Sequence, residues 1–227
     1  MDFEYTESEQ NFREEVKSFL AENLPPKKER DRNFLKSWLE KVREKGWVGF
    51  SWPKEFGGSD GGLIEQAILK EEMALAKAPP LGTSFMGLAW VGPGIMQYGT
   101  EEQKKRWLPK ICSGETIGAL AMTEPGGGSD VAAIKTLAKD MGDHFLVNGS
   151  KSFITNGLLA DLVIVACKTD SKAGAHGISL IILERGMEGF DRGNKLDKIG
   201  QFGQDTAELF FKDVKAVSYT HLRAHET

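Results

Sequence analysis

Ala121-Met122-Thr123-Glu124-Pro125-Gly126-Gly127-Gly128-Ser129-Asp130 closes an apolar run, Ile117 to Met122, and drops into a Pro-Gly-Gly-Gly-Ser-Asp turn. An apolar run of that length bounded by a glycine turn reads as a strand with a polar rim. Hydroxyls and free backbone N–H groups are concentrated at that rim. Ser152-Phe153-Ile154-Thr155-Asn156-Gly157 repeats the arrangement: a second extended segment ending in a polar turn. Two hydroxyl-bearing strand ends in one domain suggest a seat for a flat ligand with polar edges.

Outward from this stretch, the chain divides at the change of periodicity near residue 115. Before it the patterns are helical. Phe12, Val16, Phe19 and Leu20 fall on one helix face behind a Thr6/Glu9 capping box. Leu35, Trp38, Leu39 and Val42 repeat the spacing, with Gly46 as the stop. Leu63–Ala78 and Leu81–Tyr98 also read as helices, the second apolar enough to be buried. Thr100 with Gln103 caps a last helix through Trp107, Leu108 and Ile111. Trp52, Trp90 and Trp107 read as core or interface residues.

After residue 115 the period becomes two, or the runs become continuous and β-branched. Ile117–Met122, His144–Asn148, Leu162–Cys167, Ile178–Leu183 and Ala207–Phe211 are the strand candidates, and Asn148-Gly149 signals a tight hairpin. The expected fold is therefore α+β: an all-helical N-terminal domain, 1–116, followed by a small antiparallel β-barrel or sandwich domain, 117–217. Residues 218–227 have no periodicity and read as a disordered, non-native tail.

Composition narrows the function. The 227 residues are 40% hydrophobic and 27% charged with net charge −4, so an electrostatic nucleic-acid surface is not expected. No apolar stretch of 18 residues is present to span a bilayer. Cys112 and Cys167 form no CxxC, so the reading is two buried thiols in a reducing cytoplasm. His144 and His176 lack partners at metal-ligand spacing, and no metal site is expected.

Each motif has a plain reading beside the chemical one. Gly126–Gly128 lacks the Gly-Lys-Ser/Thr of a phosphate loop and reads first as a turn. Glu124, before Pro125, reads as ordering that turn more readily than as a general base. Ser129 has no flanking GxSxG and no activating His, so a nucleophile is not expected.

Taken together, the motifs resemble the acyl-CoA dehydrogenase family of flavoproteins over about residues 3–217. Ala121–Asp130 resembles its flavin signature, and Asn148–Lys151 with Phe153–Gly157 its second flavin-contact segment. Trp52-Pro53-Lys54-Glu55-Phe56-Gly57-Gly58 resembles an early loop, and Gly99–Lys104 with Trp107-Leu108-Pro109 the last helix before the β domain. The resemblance implies FAD-dependent α,β-dehydrogenation of an acyl-CoA thioester by a homo-oligomer, with an electron-transfer flavoprotein as acceptor. It implies that Met122 and Thr123 contact the isoalloxazine edge, and that Gly128 and Ser129 meet the pyrophosphate. By the same resemblance Ser129 is expected to reach the acyl-CoA as well. Phe153, Ile154 and Thr155 flank the ring, with Phe153 standing where many members have Trp.

The family's catalytic carboxylate lies in a C-terminal helical domain. The expectation is thus a fragment with no catalytic residue of its own, weak flavin retention and negligible turnover. Same-fold alternatives are an acyl-CoA oxidase or a flavin monooxygenase. A non-catalytic CoA- or flavin-binding module is the alternative from another class.

Overall fold

The computed structural model describes residues 4–80, 84–217 and 221–222, the side chains of Arg32 and Lys36 excepted. By packing, the chain divides into two compact units, Met1–Gly82 and Thr83–Thr227. The change from helix to strand falls later, between Ser113 and Gly118.

The first unit is helical. Helix α1 (Glu7–Asn23) begins at the Thr6/Glu9 capping box and buries Val16, Phe19 and Leu20. Helix α2 (Arg32–Glu44) starts on Asp31, whose carboxylate accepts from Phe34 N–H, and Gly46 follows its cap at φ 73°. Helix α3 (Leu63–Leu75) packs on α1. Phe19 meets Trp47 edge-on at 4.9 Å, and Trp38 and Trp52 are also buried.

In the second unit, helix α4 (Ser84–Met86) continues through a π-helical turn, Gly87–Val91, into α5 (Gly92–Tyr98). Helix α6 (Glu101–Ser113) carries the Thr100/Gln103 capping box and ends at Gly114 in the left-handed region. The segment 84–98 is buried on one face only, which corrects the expectation of a buried helix. Val91 and Ile95 are inside, whereas Phe85 and Trp90 are more than half exposed. The inward face is narrow because it approaches the sheet through glycines: a Cβ on Gly118 would lie 3.2 Å from the Gly87 Cα. Leu81 to Thr83, the expected start of that helix, lie outside the described residues.

Among the described residues, eight strands form one sheet in the order β6-β7-β3-β2-β4-β5-β8, with β1 also paired to β4. They are β1 (Gly118–Ala121), β2 (Leu137–Asp140), β3 (His144–Thr155), β4 (Leu162–Lys168), β5 (Ile178–Glu184), β6 (Phe190–Lys195), β7 (Thr206–Val217) and β8 (His221–Leu222). The sheet is mixed, not purely antiparallel, since β1 and β2 both run parallel to β4. Strand β4 is buried on both faces: Val163, Val165 and Cys167 join the core, and Ile164 lies toward Gly94 of α5. That explains its continuous apolar run.

Asn148-Gly149 is not a hairpin. Strand β3 runs straight through it, advancing two residues (147 to 149) while β7 uses three (214 to 211). The stretch of β7 with the extra residue includes Asp213 at φ 52°, and Asn148 exchanges two hydrogen bonds with it: Asn148 Nδ2 to Asp213 Oδ1 and Asp213 N–H to Asn148 Oδ1. The actual hairpin turn joins β2 to β3 at Met141-Gly142-Asp143, with Gly142 at φ 95° and its N–H bonded to Asp140.

The tail also differs in part. His221 and Leu222 pair with β5, Leu222 is buried, and the His221 ring packs 5.3 Å from Phe145. Residues 218–220 and 223–227 lie outside the described residues.

Candidate cofactor site

The two polar rims identified in the sequence meet in the structure. Ser152 N–H donates to Thr123 O at 2.9 Å, and Lys151 Nζ donates to Met122 O at 2.9 Å. The end of β1 and the last third of β3 are thereby joined side by side. A bulge re-aims β3 at this point: three residues (151 to 154) oppose two on β7 (209 to 207). Phe153 sits in the bulge at φ 60°, a left-handed conformation an aromatic residue rarely adopts, and it is 68% exposed. Bulges of this kind turn a side chain out of the sheet, and strain is concentrated where a site requires it.

Thr155 follows, partly exposed, and is held by what comes after it. Asn156 is fully buried at φ 62°; its Nδ2 donates to Gly118 O and its Oδ1 accepts from Gln204. Asp205 Oδ2 accepts from Leu158 and Leu159 N–H, closing the turn. Ile154 points the other way, into the core at 2% exposure, so only its backbone is available to a ligand.

On the other rim Met122, Gly128 and Ser129 are open to solvent at least in part, and so is Thr123. The glycine turn is open: nothing lies within 4 Å of a Cβ placed on Gly126, and only ordinary contacts meet one on Gly127 or Gly128. Among the described residues, Thr123 N–H has no partner within the chain. An unpaired amide, the hydroxyls of Thr123, Ser129 and Thr155, an accessible glycine backbone and an exposed aromatic face are a set of groups that fits a flavin.

Beneath the rim lies a residue to which the sequence assigned no role. Lys151 is completely buried, and its ammonium contacts Glu124 Oε1 at 3.0 Å as well as Met122 O. Glu124 is 8% exposed and accepts from Lys135 N–H at 2.7 Å and Thr136 N–H at 2.9 Å. Burial opposes the Glu124 charge, but the bonds from Thr136, Lys135 and Lys151 outweigh it and hold the carboxyl below its usual range. Burial pulls the Lys151 ammonium below its usual range, with Glu124 opposing. Cys167, sealed in the core, is pushed up to about 12 by burial. The sequence carried little signal for Lys151: it stands between Ser150 and Ser152, in a polar run where a solvent-facing lysine is the default.

His144 pairs with Asp143 at the hairpin, and among the described residues no cluster of His, Cys, Asp or Glu could hold a metal ion. No helix of the described residues is long and apolar enough to cross a membrane.

Comparison with known proteins fits this geometry. Residues 6–115 match the model of the acyl-CoA dehydrogenase N-terminal domain and residues 119–214 that of the middle domain. The chain belongs to the acyl-CoA dehydrogenase family. It is 43% identical over 209 residues to the long-chain specific acyl-CoA dehydrogenase of Rattus norvegicus, covering 90% of this chain and 48% of that protein. It is 39% identical over 229 residues to the isovaleryl-CoA dehydrogenase of Pongo abelii, covering 97% of this chain and 54% of that protein. The acyl-CoA dehydrogenase of Geobacillus kaustophilus superposes with a TM-score of 0.78 at 38% identity, over 99% of this chain and 60% of that one. A structure described as an electron transferring flavoprotein of Acidaminococcus fermentans gives 0.80 at 35%, with 99% and 60% covered. The chain thus spans about half the length of the curated relatives it matches.

Proposed function

We propose that this chain supplies the flavin seat and part of the thioester-binding surface of an FAD-dependent enzyme that dehydrogenates acyl-CoA at the α,β-bond. The observation that carries the reading is the Ser152–Thr123 bond, which brings two separate segments onto one rim. FAD, when bound, would accept the hydride leaving the β-carbon. Thr123 would offer its N–H and hydroxyl to the flavin's polar edge, where donors stabilise charge that grows on reduction. The backbone of Gly126–Gly128 and the Ser129 hydroxyl would meet the pyrophosphate, Ser129 reaching on to the acyl-CoA. Phe153 would cover the ring face, and Thr155 would hold a hydroxyl at the ring's reactive side.

Glu124 is not the base in this reading. Its oxygens are occupied by two backbone N–H groups and the Lys151 ammonium, and it faces away from solvent. The proton-abstracting carboxylate then comes from outside this chain, in keeping with the half-length match to its relatives. An electron-transfer flavoprotein as acceptor and a homo-oligomeric whole protein complete the proposal. The buried thiols of Cys112 and Cys167 support a reducing compartment such as the cytoplasm.

An equilibrium titration with FAD, followed by flavin fluorescence, tests the seat. The wild-type chain is expected to bind saturably though weakly, with Thr123→Val and Ser129→Ala each weaker by about tenfold, the loss of one good hydrogen bond. Absence of saturable binding, or two variants indistinguishable from wild type, would contradict the assignment.

A further inference from the structure

We propose that Lys151 is a positioning residue for the flavin: anchored by Glu124, it holds the Met122–Thr123 peptide so that the Thr123 N–H faces the cofactor. The inference rests on the FAD reading above and deepens it.

The argument is one of peptide geometry. Every described peptide bond is trans, and in a trans peptide the C=O and the N–H point in opposite directions. The Lys151 ammonium lies wholly inside the protein and takes the Met122 carbonyl at 2.9 Å. The N–H of that same peptide, belonging to Thr123, is therefore turned away from the interior. It is this N–H that has no partner within the chain among the described residues. A buried cation on the carbonyl also polarises the peptide, which strengthens its N–H as a donor.

Further bonds make the arrangement rigid. Glu124 fixes the ammonium and is itself fixed by Lys135 and Thr136 N–H; Ser152 N–H secures the next carbonyl, that of Thr123. A buried ion pair is weak evidence of stability, since matched neutral residues often do as well. Its placement under the outward-facing, unpaired Thr123 amide is better explained by what it does to that amide. Because the strengthened donor meets an edge that gains negative charge on reduction, it favours reduced over oxidised flavin.

The test compares wild type with K151M/E124Q, which removes both charges and keeps the volume, using binding of FAD and of dithionite-reduced FAD under anaerobic conditions. The expected result is a normal cooperative melt, weaker binding of both forms, and a reduced-to-oxidised affinity ratio lowered about tenfold. For a two-electron couple that is about 30 mV toward a more negative potential. A folded variant with unchanged affinity ratio overturns the positioning role while wild-type binding leaves the cofactor reading standing. A wild type that binds neither form overturns both. Should the variant fail to fold, the wild-type Thr123 amide resonance carries the test: FAD must shift it downfield as a new hydrogen bond forms, and an unmoved resonance overturns the role.

Discussion

The buried pair under the rim has consequences at single residues. K151M alone would leave the Glu124 carboxylate buried without its cation and is expected to cost about 3–5 kcal/mol in denaturant unfolding. K151M/E124Q should cost less, the remaining loss being the partner of the Met122 carbonyl and one of the two N–H acceptors. The pair also gives stability a pH signature with two limbs. The folded Glu124 carboxyl titrates below its unfolded value, so its contribution is present above about pH 4.3 and is lost as pH falls through the folded value. The folded Lys151 titrates below its unfolded value, so the unfolded chain binds more protons in that window and stability rises with pH up to about 10.4. Urea unfolding across pH should show both limbs in wild type and both reduced in K151M/E124Q, with the acid limb that remains coming from other carboxyls such as Glu101 and Asp143. Cys167 gives a separate check. With its thiol at about 12 and no exposure, it should resist a thiol reagent at pH 8 until the chain is unfolded.

At the scale of elements, the rim depends on how β3 is bent. Phe153 holds a left-handed φ that glycine would adopt without strain. Phe153→Gly is therefore expected to leave unfolding stability within about 0.5 kcal/mol of wild type while weakening FAD binding, a separation of strain from function. Gly149 is the reverse case. It stands at φ 149°, and a Cβ there would lie 2.7 Å from the Thr136 Cα, so Gly149→Ala should lower stability by at least about 1–3 kcal/mol, read from the denaturant midpoint. These two positions also mark where the sequence could be read and where it could not. The helix starts at Thr6 and Thr100 were legible, because a capping box is a local hydrogen-bond pattern. Strand β4 was legible as a continuous apolar run. Asn148-Gly149 was misleading, because the same dipeptide that makes a tight turn also suits a bulge, and the choice is made by Asp213, 65 residues away. Strands β2 and β6, Leu-Ala-Lys-Asp and Phe-Asp-Arg-Gly-Asn-Lys, are too short and polar to declare themselves; their neighbours in the sheet make them strands.

For the whole molecule, the two motifs were legible in the sequence, but not their shared rim, which depends on a parallel β1–β4 pairing and the Ser152–Thr123 bond. Nor could the pattern of residues 84–98 tell that only one face would be covered: Phe85 and Trp90 are as apolar as Val91 and Ile95, and burial is decided by the Gly87–Gly118 approach. The helical unit Met1–Gly82 holds an apolar cavity of about 320 Å³ lined by residues including Trp38, Val42, Trp47 and Leu69, a site of quite different chemistry. It offers mainly hydrocarbon and indole, whereas the rim offers hydroxyls, an amide and a glycine backbone. Amide hydrogen exchange over the entire chain, with and without saturating FAD, separates the two and tests the central claim most directly. The flavin-seat account predicts that FAD slows exchange in 122–129 and 152–155 together and leaves the cavity-lining helices unchanged. Protection confined to the helical unit, or in only one of the two rim segments, would contradict it.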